Sequence, residues 1–253
     1  MDEKNVREPV HAGSFYPADK DVLTGLVEEF LDEAKVKPLK GKKLKALIVP
    51  HAGYSYSGSI AGFAYKLLSN TKPRKVILCG PSHRTYLENA FSFAGEWKSP
   101  IRTTKVLSAD LPIVQNDSEH SLEVQLPFLQ IALKDFEFTP IIYGEIEGSE
   151  LADILNTELT NNSVLIASSD LSHYLSYAMA KKTDTNTINS IINMDFASFV
   201  SDADACGKIG IHALMILAKK YNWTPLLLDY KNSGDTAGDK KQVVGYCAIA
   251  FLE

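Results

Sequence analysis

Three aliphatic runs in the chain each end in small or kinking residues, and a histidine or a carboxylate follows. Buried strands of a parallel sheet read as unbroken aliphatic runs, because helices cover both faces of such a sheet. Open α/β sheets bind ligands in the crevice beyond the carboxyl ends of their strands. We therefore predict that these polar groups converge on one crevice. The runs are residues 44–49 before Pro50-His51-Ala52-Gly53, 76–79 before Gly80-Pro81-Ser82-His83, and 164–167 before Ser168-Ser169-Asp170-Leu171-Ser172-His173.

Strand and helix patterns alternate along the chain, and this alternation is typical of an α/β fold with helices on both faces of the sheet. We predict a three-layer αβα sandwich with a mostly parallel central sheet. No repeat or linker divides the chain, so we expect a single domain over residues 1–253. Strands are predicted at 44–49, 75–79, 90–94, 138–143, 164–168, 225–230 and 243–251, and helices at 19–34, from Ser57 onward, at 121–134, 148–159, 175–193 and 206–220.

Composition and charge favour small soluble partners. The formal charge is -5 and there is no long basic run, so we expect no nucleic-acid partner. No apolar run approaches the ~20 residues that span a bilayer, and the acidic first residues carry no signal core, so we expect a cytoplasmic protein without a membrane partner. The three cysteines are odd in number and widely spaced, which disfavours disulfides and zinc fingers; Cys79 and Cys247 are predicted to be buried, inert thiols.

The histidines after the first two aliphatic runs form the best pair of candidate metal ligands. His51 and His83 would lie at the ends of two strands of one βαβ unit, which could be neighbours in the sheet, and neutral imidazole suits zinc, copper and iron. Asp170 and His173 are three residues apart, so the carboxylate could orient the imidazole as a proton shuttle near neutral pH. The alternative is a turn that Asp170 closes as a helix cap, with His173 incidental.

The remaining histidines carry weaker signals. His120 lies in Ser118-Glu119-His120-Ser121, which resembles a capped helix start, and it either projects into the crevice or serves only that cap. His11 has less local support, and His212 fits a core or boundary position. The glycines match neither a dinucleotide nor a Walker signature, and no G-x-S-x-G elbow is present, which argues against a nucleotide cofactor and a serine hydrolase.

The chain carries the motifs His11-Ala12-Gly13-Ser14-Phe15-Tyr16-Pro17, Pro50-His51-Ala52-Gly53-Tyr54, Gly80-Pro81-Ser82-His83, Glu119-His120-Ser121-Leu122-Glu123, Ser168-Ser169-Asp170-Leu171-Ser172-His173 and Cys206-Gly207. Taken together, these motifs resemble the Memo family, whose prokaryotic members are labelled component B of the AmmeMemoRadiSam system. The resemblance covers nearly the whole chain. It implies the LigB-like fold, which is the fold of class III extradiol dioxygenases. These enzymes open catechol rings with Fe(II).

The resemblance implies a divalent metal, with Fe(II) first and Zn, Mn or Cu as alternatives. His51 and His83 would be ligands. Animal members place a cysteine in the loop after residues 225–230, where this chain has none, so Asp235 is expected to complete the ligand set and Cys206 is not. His173, Asp170 and His120 are the expected catalytic residues, and His11, Tyr54 and Ser82 are expected to bind substrate.

Two functions remain open from the sequence. The first is a metal-dependent redox enzyme acting on a small chelating substrate. The second is a non-catalytic binding or adaptor protein that retains a dioxygenase-like pocket for a peptide, a ligand or a metal, because fold similarity does not convey chemistry. The name of the system also implies AMMECR-like and radical-SAM partner proteins, and with them a remaining possibility of a hydrolase or of a partner subunit in radical-SAM-linked modification.

Overall fold

The computed structural model of the protein describes residues 6–114 and 118–253, and strands alternate with helices through both ranges. The alternation agrees with the α/β prediction. The elements are β1 (Val6–Arg7), α1 (Lys20–Glu33), β2 (Leu44–Val49), α2 (Tyr54–Thr71), β3 (Lys75–Pro81), β4 (Ala90–Ser92), β5 (Glu96–Lys98), β6 (Thr103–Lys105), α3 (His120–Glu123), α4 (Gln125–Ala132), β7 (Glu137–Tyr143), α5 (Gly148–Glu158), β8 (Ser163–Ser168), α6 (Tyr177–Ile192), α7 (Phe196–Asp202), α8 (Lys208–Tyr221), β9 (Thr224–Asn232), α9 (Ser233–Thr236) and β10 (Gly245–Leu252).

The central sheet is mixed. Its seven strands lie in the order β4-β7-β3-β8-β2-β10-β9. The inner strands β7, β3, β8 and β2 pair in parallel, whereas β4, β10 and β9 join through antiparallel ladders. A mostly parallel sheet therefore describes only the four inner strands. The antiparallel pair β9 and β10 needs no helical crossover, and a short polar segment with one helical turn joins the two strands.

A second, small sheet contains β1, β5 and β6. The hydrophobic pattern did not predict these strands, because elements of two or three residues are too short to display a period. The single-turn helix α9 was missed for a similar reason, and the seven-residue helix α7 was also not predicted.

Helices pack on both faces of the central sheet. Alternating side chains of β2 point to opposite faces, as they must in a strand: Leu47 and Val49 contact the core formed with α1, α2 and α4. Ala46 and Ile48 contact the core formed with α5, α6, α7 and α8. This arrangement is an αβα sandwich.

The buried thiols follow the prediction. Cys79 and Cys247 are both 0% exposed within the second core, and burial raises the pKa of the Cys79 thiol to about 12. Burial also raises the pKa of Cys247 far above its usual range. Neither thiol is a candidate ligand or nucleophile.

Helix α2 begins at Tyr54, earlier than the start near Ser57, with Ser57 as the N-cap residue, that the sequence predicted. Gly53 is its N-cap residue, and the hydroxyl of Ser57 donates to the Ala52 carbonyl inside the first turn instead of capping it. Gly62 lets α2 pack closely on α1, because a Cβ there would meet the Phe30 carbonyl oxygen at 2.6 Å. None of the described helices is long and apolar enough to cross a membrane.

The strand order places the candidate residues at one edge of the sheet. The βαβ pattern had allowed β2 and β3 to be neighbours in the sheet. They are not, because β8 lies between them. All three strands run in parallel, so the segments after Val49, Pro81 and Ser168 leave the sheet at the same edge. The carboxyl ends of three strands therefore lie together where the crevice was expected.

Candidate metal site

His51, His83 and His120 form one cluster, in which one ring nitrogen of each histidine lies within 4.8 Å of the others. The ring centroids of His51 and His83 are 5.2 Å apart, and those of His83 and His120 are 4.7 Å apart. His51 is 2% exposed, whereas 31% of the His83 side chain is exposed. The cluster therefore has a buried side at His51 and an open side at His83.

The hydrogen bonds around Ser168 fix the tautomer of His51. The Ser168 hydroxyl donates its proton to the Ser121 carbonyl at 2.5 Å and accepts from the Gln125 amide at 2.8 Å. Its oxygen is also 3.0 Å from Nδ1 of His51. Because the hydroxyl proton is already used, Nδ1 must donate. The lone pair of His51 is therefore on Nε2.

Glu119 lies behind the other two histidines. Its Oε1 is 2.9 Å from Nδ1 of His83 and 2.9 Å from Nδ1 of His120. The backbone N–H groups of Ser121 and His83 also donate to this carboxylate. Contacts of this kind between a carboxylate and imidazole groups orient metal ligands and leave Nε2 free to bind the metal.

The electrostatics keep the carboxylate charged and His51 neutral. Burial alone would raise the pKa of Glu119, but the close contact with the His120 imidazole and hydrogen bonds from His83 and two backbone N–H groups outweigh it and hold the pKa well below its usual range. Burial lowers the pKa of His51 well below 6.5, and the neighbouring charges of His83 and His120 lower it further. Neutral imidazole is the form that binds metals.

These residues fit a divalent metal ion. Three imidazoles with open positions beside them are a donor set found in catalytic metal sites. Nδ1 of His51 is bonded to Ser168 and Nδ1 of His83 to Glu119, which leaves Nε2 of these two rings available to an ion, and Nδ1 of His120 lies 2.9 Å from Glu119. The arrangement is able to hold a divalent ion with coordination positions left for a ligand.

Asp170 and Cys206 lie beside the buried side of the cluster. Oδ1 of Asp170 accepts from the His51 backbone N–H at 2.7 Å, and Sγ of Cys206 is 3.1 Å from Nε2 of His51. Burial raises the pKa of Asp170 to about 7, although backbone hydrogen bonds from His51 and Ala52 act in the opposite direction. Asp170 therefore positions the loop that carries His51, a role that its spacing from His173 had not indicated.

His173 interacts electrostatically with His51 and His83 of the cluster. Burial lowers its pKa, and repulsion from the charge of His83 contributes to the same shift. The loop that carries it is held by a hydrogen bond from Ser172 N–H to Asp184 at 3.0 Å and by two backbone hydrogen bonds to Gly245. A neutral imidazole is thus held beside the histidine cluster, where it is able to accept a proton.

The three residues expected to bind substrate have other contacts. The hydroxyl of Tyr54 donates to the Val124 carbonyl at 2.6 Å inside the apolar core. The hydroxyl of Ser82 donates to the Thr85 carbonyl and closes a turn. His11 is buried behind the cluster: Nε2 is 2.8 Å from the Ser118 carbonyl oxygen, and its ring centroid is 5.8 Å from that of His120.

Asp235 is not placed with the histidine cluster. One of its carboxylate oxygens accepts from the Tyr177 hydroxyl at 2.7 Å. The other accepts from Asn232 N–H at 3.1 Å and completes the capping box of α9. Its carboxylate is thus engaged in a local cap, and His120, expected to be catalytic, takes the third position in the cluster.

Sequence reasoning missed the roles of Glu119, Ser168 and Cys206. The adjacency of Glu119 and His120 was visible, but it was interpreted as a helix cap, and Glu119 does cap α3 through the Ser121 N–H. Ser168 ends a strand and gave no signal of its own. Cys206 was assigned to the start of a helix, whereas α8 begins at Lys208 and leaves the thiol free to face His51.

The fold and the cluster define an α/β protein with a histidine site able to hold a divalent metal at the carboxyl ends of its parallel strands. A family model described as Memo-like protein matches residues 7–250, and the chain belongs to the Memo family. A MEMO1 family protein of Thermoplasma volcanium is 35% identical over 96% of this chain and 97% of the relative. One of Aquifex aeolicus is 34% identical over 98% of this chain and 99% of the relative. The names of these relatives state no activity.

Proposed function

We propose that the protein is a metal-dependent redox enzyme that holds a divalent ion, with Fe(II) as the first candidate, on His51, His83 and His120 and acts on a small chelating substrate. The observation that supports this most is the convergence of three imidazole nitrogens within 4.8 Å, backed by acceptors that orient each ring. A bound ion would act as a Lewis acid and hold the reacting groups together.

The residues around the cluster divide the remaining work. The exposed side of His83 leaves an entrance through which a ligand reaches the site. The buried side, with His51 and Asp170, excludes water. His173 is neutral near pH 7 because burial lowers its pKa, so it is the group that takes a proton from a bound acidic ligand such as a diol.

Metal binding is the first test. The protein should be purified without a histidine tag, stripped of metal, and titrated with Fe(II) and Zn under anaerobic conditions. His83→Ala and His120→Ala each remove one ligand, and we expect a loss of affinity above the ~10- to 100-fold that is typical of damage to supporting residues. His212→Ala is the matched control, because its ring lies against Phe196 and Phe199 on the other side of the sheet. Equal affinity in all variants would contradict the metal site.

Turnover is the second test. Protein loaded with Fe(II) should consume oxygen in the presence of a chelating substrate, with a panel of catechols as the probe. We expect His173→Ala to retain metal binding and lose oxygen uptake. Stoichiometric metal binding without uptake on any chelating substrate would favour a non-catalytic binding protein over the enzyme.

A further inference from the structure

A cavity of about 380 Å³ lies at the edge of the central sheet opposite the histidine cluster. Its buried lining residues are Leu44, Ser163 and Val164, which begin the strands β2 and β8. Because β2, β8 and β3 run in parallel, the segments that precede these three strands meet at this edge. β2 and β8 are six residues long, so at ~3.3 Å per residue the cavity lies roughly 20 Å from the metal site.

Four exposed cationic side chains line this cavity, and none of the described residues that line it is acidic. Lys42 and Lys43 precede β2, and Lys72 and Arg74 precede β3. A chain with a formal charge of -5 therefore concentrates four positive charges around one concave surface. A cleft lined by charges of one sign raises the local concentration of ions of the opposite sign.

The neighbouring cations are already paired with carboxylates. Nζ of Lys45 is 3.6 Å from the Glu253 side chain, and Nζ of Lys75 is 2.7 Å from that of Glu158. Across residues 6–114 and 118–253, no carboxylate forms an ion pair with the four cations of the cavity. The uncompensated positive charge of this edge is thus confined to the cavity.

The backbone that carries the four cations is held in place. Lys72 is the C-cap residue of α2. The N–H of Arg74 donates to the Asn162 carbonyl at 3.0 Å, and the N–H of Lys43 donates to the Glu253 carbonyl at 2.9 Å. A binding site with a fixed backbone loses less conformational entropy when a ligand is bound.

We propose that this cavity binds a small ligand that carries two or more linked phosphate groups. The guanidinium of Arg74 suits paired hydrogen bonds to phosphate oxygens, and the lysines act as point charges. Linked phosphates match the four cations in charge better than a single carboxylate does. The volume of about 380 Å³ falls within the ~300–1,000 Å³ of small-molecule sites, which favours a small ligand over a nucleic-acid strand.

Inorganic polyphosphate and nucleotides both supply linked phosphates. Asn161 lines the basic cavity and also a second cavity of about 180 Å³. The second cavity contains Tyr221, which is 39% exposed and stacks on Trp223 with ring centroids 5.4 Å apart. The base of a nucleotide would add a contact with Tyr221, whereas inorganic polyphosphate would not.

Calorimetric titrations of the full chain with inorganic tripolyphosphate and with ATP test the proposal. We expect wild type to bind tripolyphosphate with an affinity that falls as salt screens the charges. Lys43→Gln/Arg74→Gln should bind it at least ~10-fold more weakly, because charged hydrogen bonds are lost. Lys181→Gln/Lys182→Gln removes the same charge from the exposed surface of α6 and should bind like wild type. His83→Ala should also bind like wild type, because it alters only the metal site.

The outcomes separate this site from the metal site and identify the source of the phosphates. No binding of either ligand by wild type, or equal affinity in the two double variants, would overturn the proposal. A loss in His83→Ala as large as in Lys43→Gln/Arg74→Gln would place the anion at the metal site and also overturn it.

Equal affinities for tripolyphosphate and ATP would support a site for the phosphate chain alone. Tighter binding of ATP that is lost in Tyr221→Ala would support a nucleotide. A single-stranded oligonucleotide that binds more tightly than both ligands and displaces them would overturn the small ligand in favour of nucleic acid.

Discussion

The Ser168 hydroxyl accepts a hydrogen bond from Nδ1 of His51 across 3.0 Å. This contact links the end of β8 to the loop after β2, and it leaves Nε2 of His51 as the acceptor or ligand atom. Ser168 is itself held by hydrogen bonds to Ser121 and Gln125. The orientation of a buried ligand is thus set by groups from three separate segments of the chain.

Replacing this serine should weaken metal binding more than stability. Ser168→Ala removes the acceptor that fixes the His51 tautomer, and we expect metal affinity to fall by ~10- to 100-fold. Calorimetric titration of the metal-free protein measures this loss. Ser163→Ala is the control, because Ser163 lies at the other end of β8 and its hydroxyl is bonded to the backbone of Thr160. Both variants should lose about 1 kcal/mol of stability, and a similar affinity in the two would contradict the role of Ser168.

Replacing two buried glutamates of one segment should affect different properties, metal affinity for Glu119 and stability for Glu123. Glu119→Gln replaces the acceptor shared by His83 and His120 with an amide, so we expect metal affinity to fall by at least ~10-fold. Glu123 accepts instead from Arg7 at 2.6 Å and from the Tyr16 hydroxyl at 2.7 Å.

Glu123→Gln should therefore lower the free energy of unfolding, by up to the ~3–5 kcal/mol of a broken buried ion pair, and change metal affinity little. Metal titrations and urea denaturation of both variants supply the comparison. A loss of metal affinity in Glu123→Gln as large as in Glu119→Gln would show that the effect is general loosening of the segment.

The carboxyl of Asp170 should make the stability of the metal-free protein depend on pH. Burial raises its pKa to about 7 in the folded state, whereas the unfolded chain titrates near ~3.9. The folded state binds the proton more tightly, so this stabilising contribution is complete below about pH 4 and is lost as the pH rises through about 7.

The free energy of unfolding of wild type minus that of Asp170→Asn should therefore decrease as the pH rises. The rise in the pKa of Asp170 from ~3.9 to about 7 on folding corresponds to a decrease in this difference on the order of 4 kcal/mol between about pH 4 and about pH 8. Urea denaturation in the presence of a chelator, across that range, measures it. A difference that stays constant or grows with pH would contradict the raised pKa.

The sequence predicted the parts of the fold that depend on local pattern. The strand Leu44–Val49 was predicted with its observed bounds, because a run of five aliphatic residues and one lysine, between a lysine-rich loop and a proline, indicates a buried strand. The order of strands was not predictable in the same way: β8 separates β2 from β3 through contacts distant in sequence. Periodicity carries no information about such contacts.

The candidate site divides along the same line. His51 and His83 were predicted as a pair from their positions after strands, and the structure brings their rings together. Asp235 was expected to be a metal ligand because animal family members have a cysteine in the same loop. Its carboxylate instead accepts hydrogen bonds from Tyr177 and Asn232. Which polar side chain reaches a site depends on its hydrogen bonds. These depend on the three-dimensional arrangement of the chain, which the residue pattern does not reveal.

The loop that carries His173 depends on a close approach at Gly245. A Cβ at this position would collide with the carboxylate of Asp184, which accepts from the Ser172 N–H. Gly245→Ala should therefore destabilise the protein by ~1–3 kcal/mol, as overpacking does, and loosen the backbone around His173. Gly25→Ala is the matched control: it lies within α1 with no atom within 4 Å of the added carbon, so it should stabilise the protein by ~0.5–1 kcal/mol. Thermal unfolding of both variants gives the two signs, and a stabilised Gly245→Ala would show that the loop is not held through Asp184.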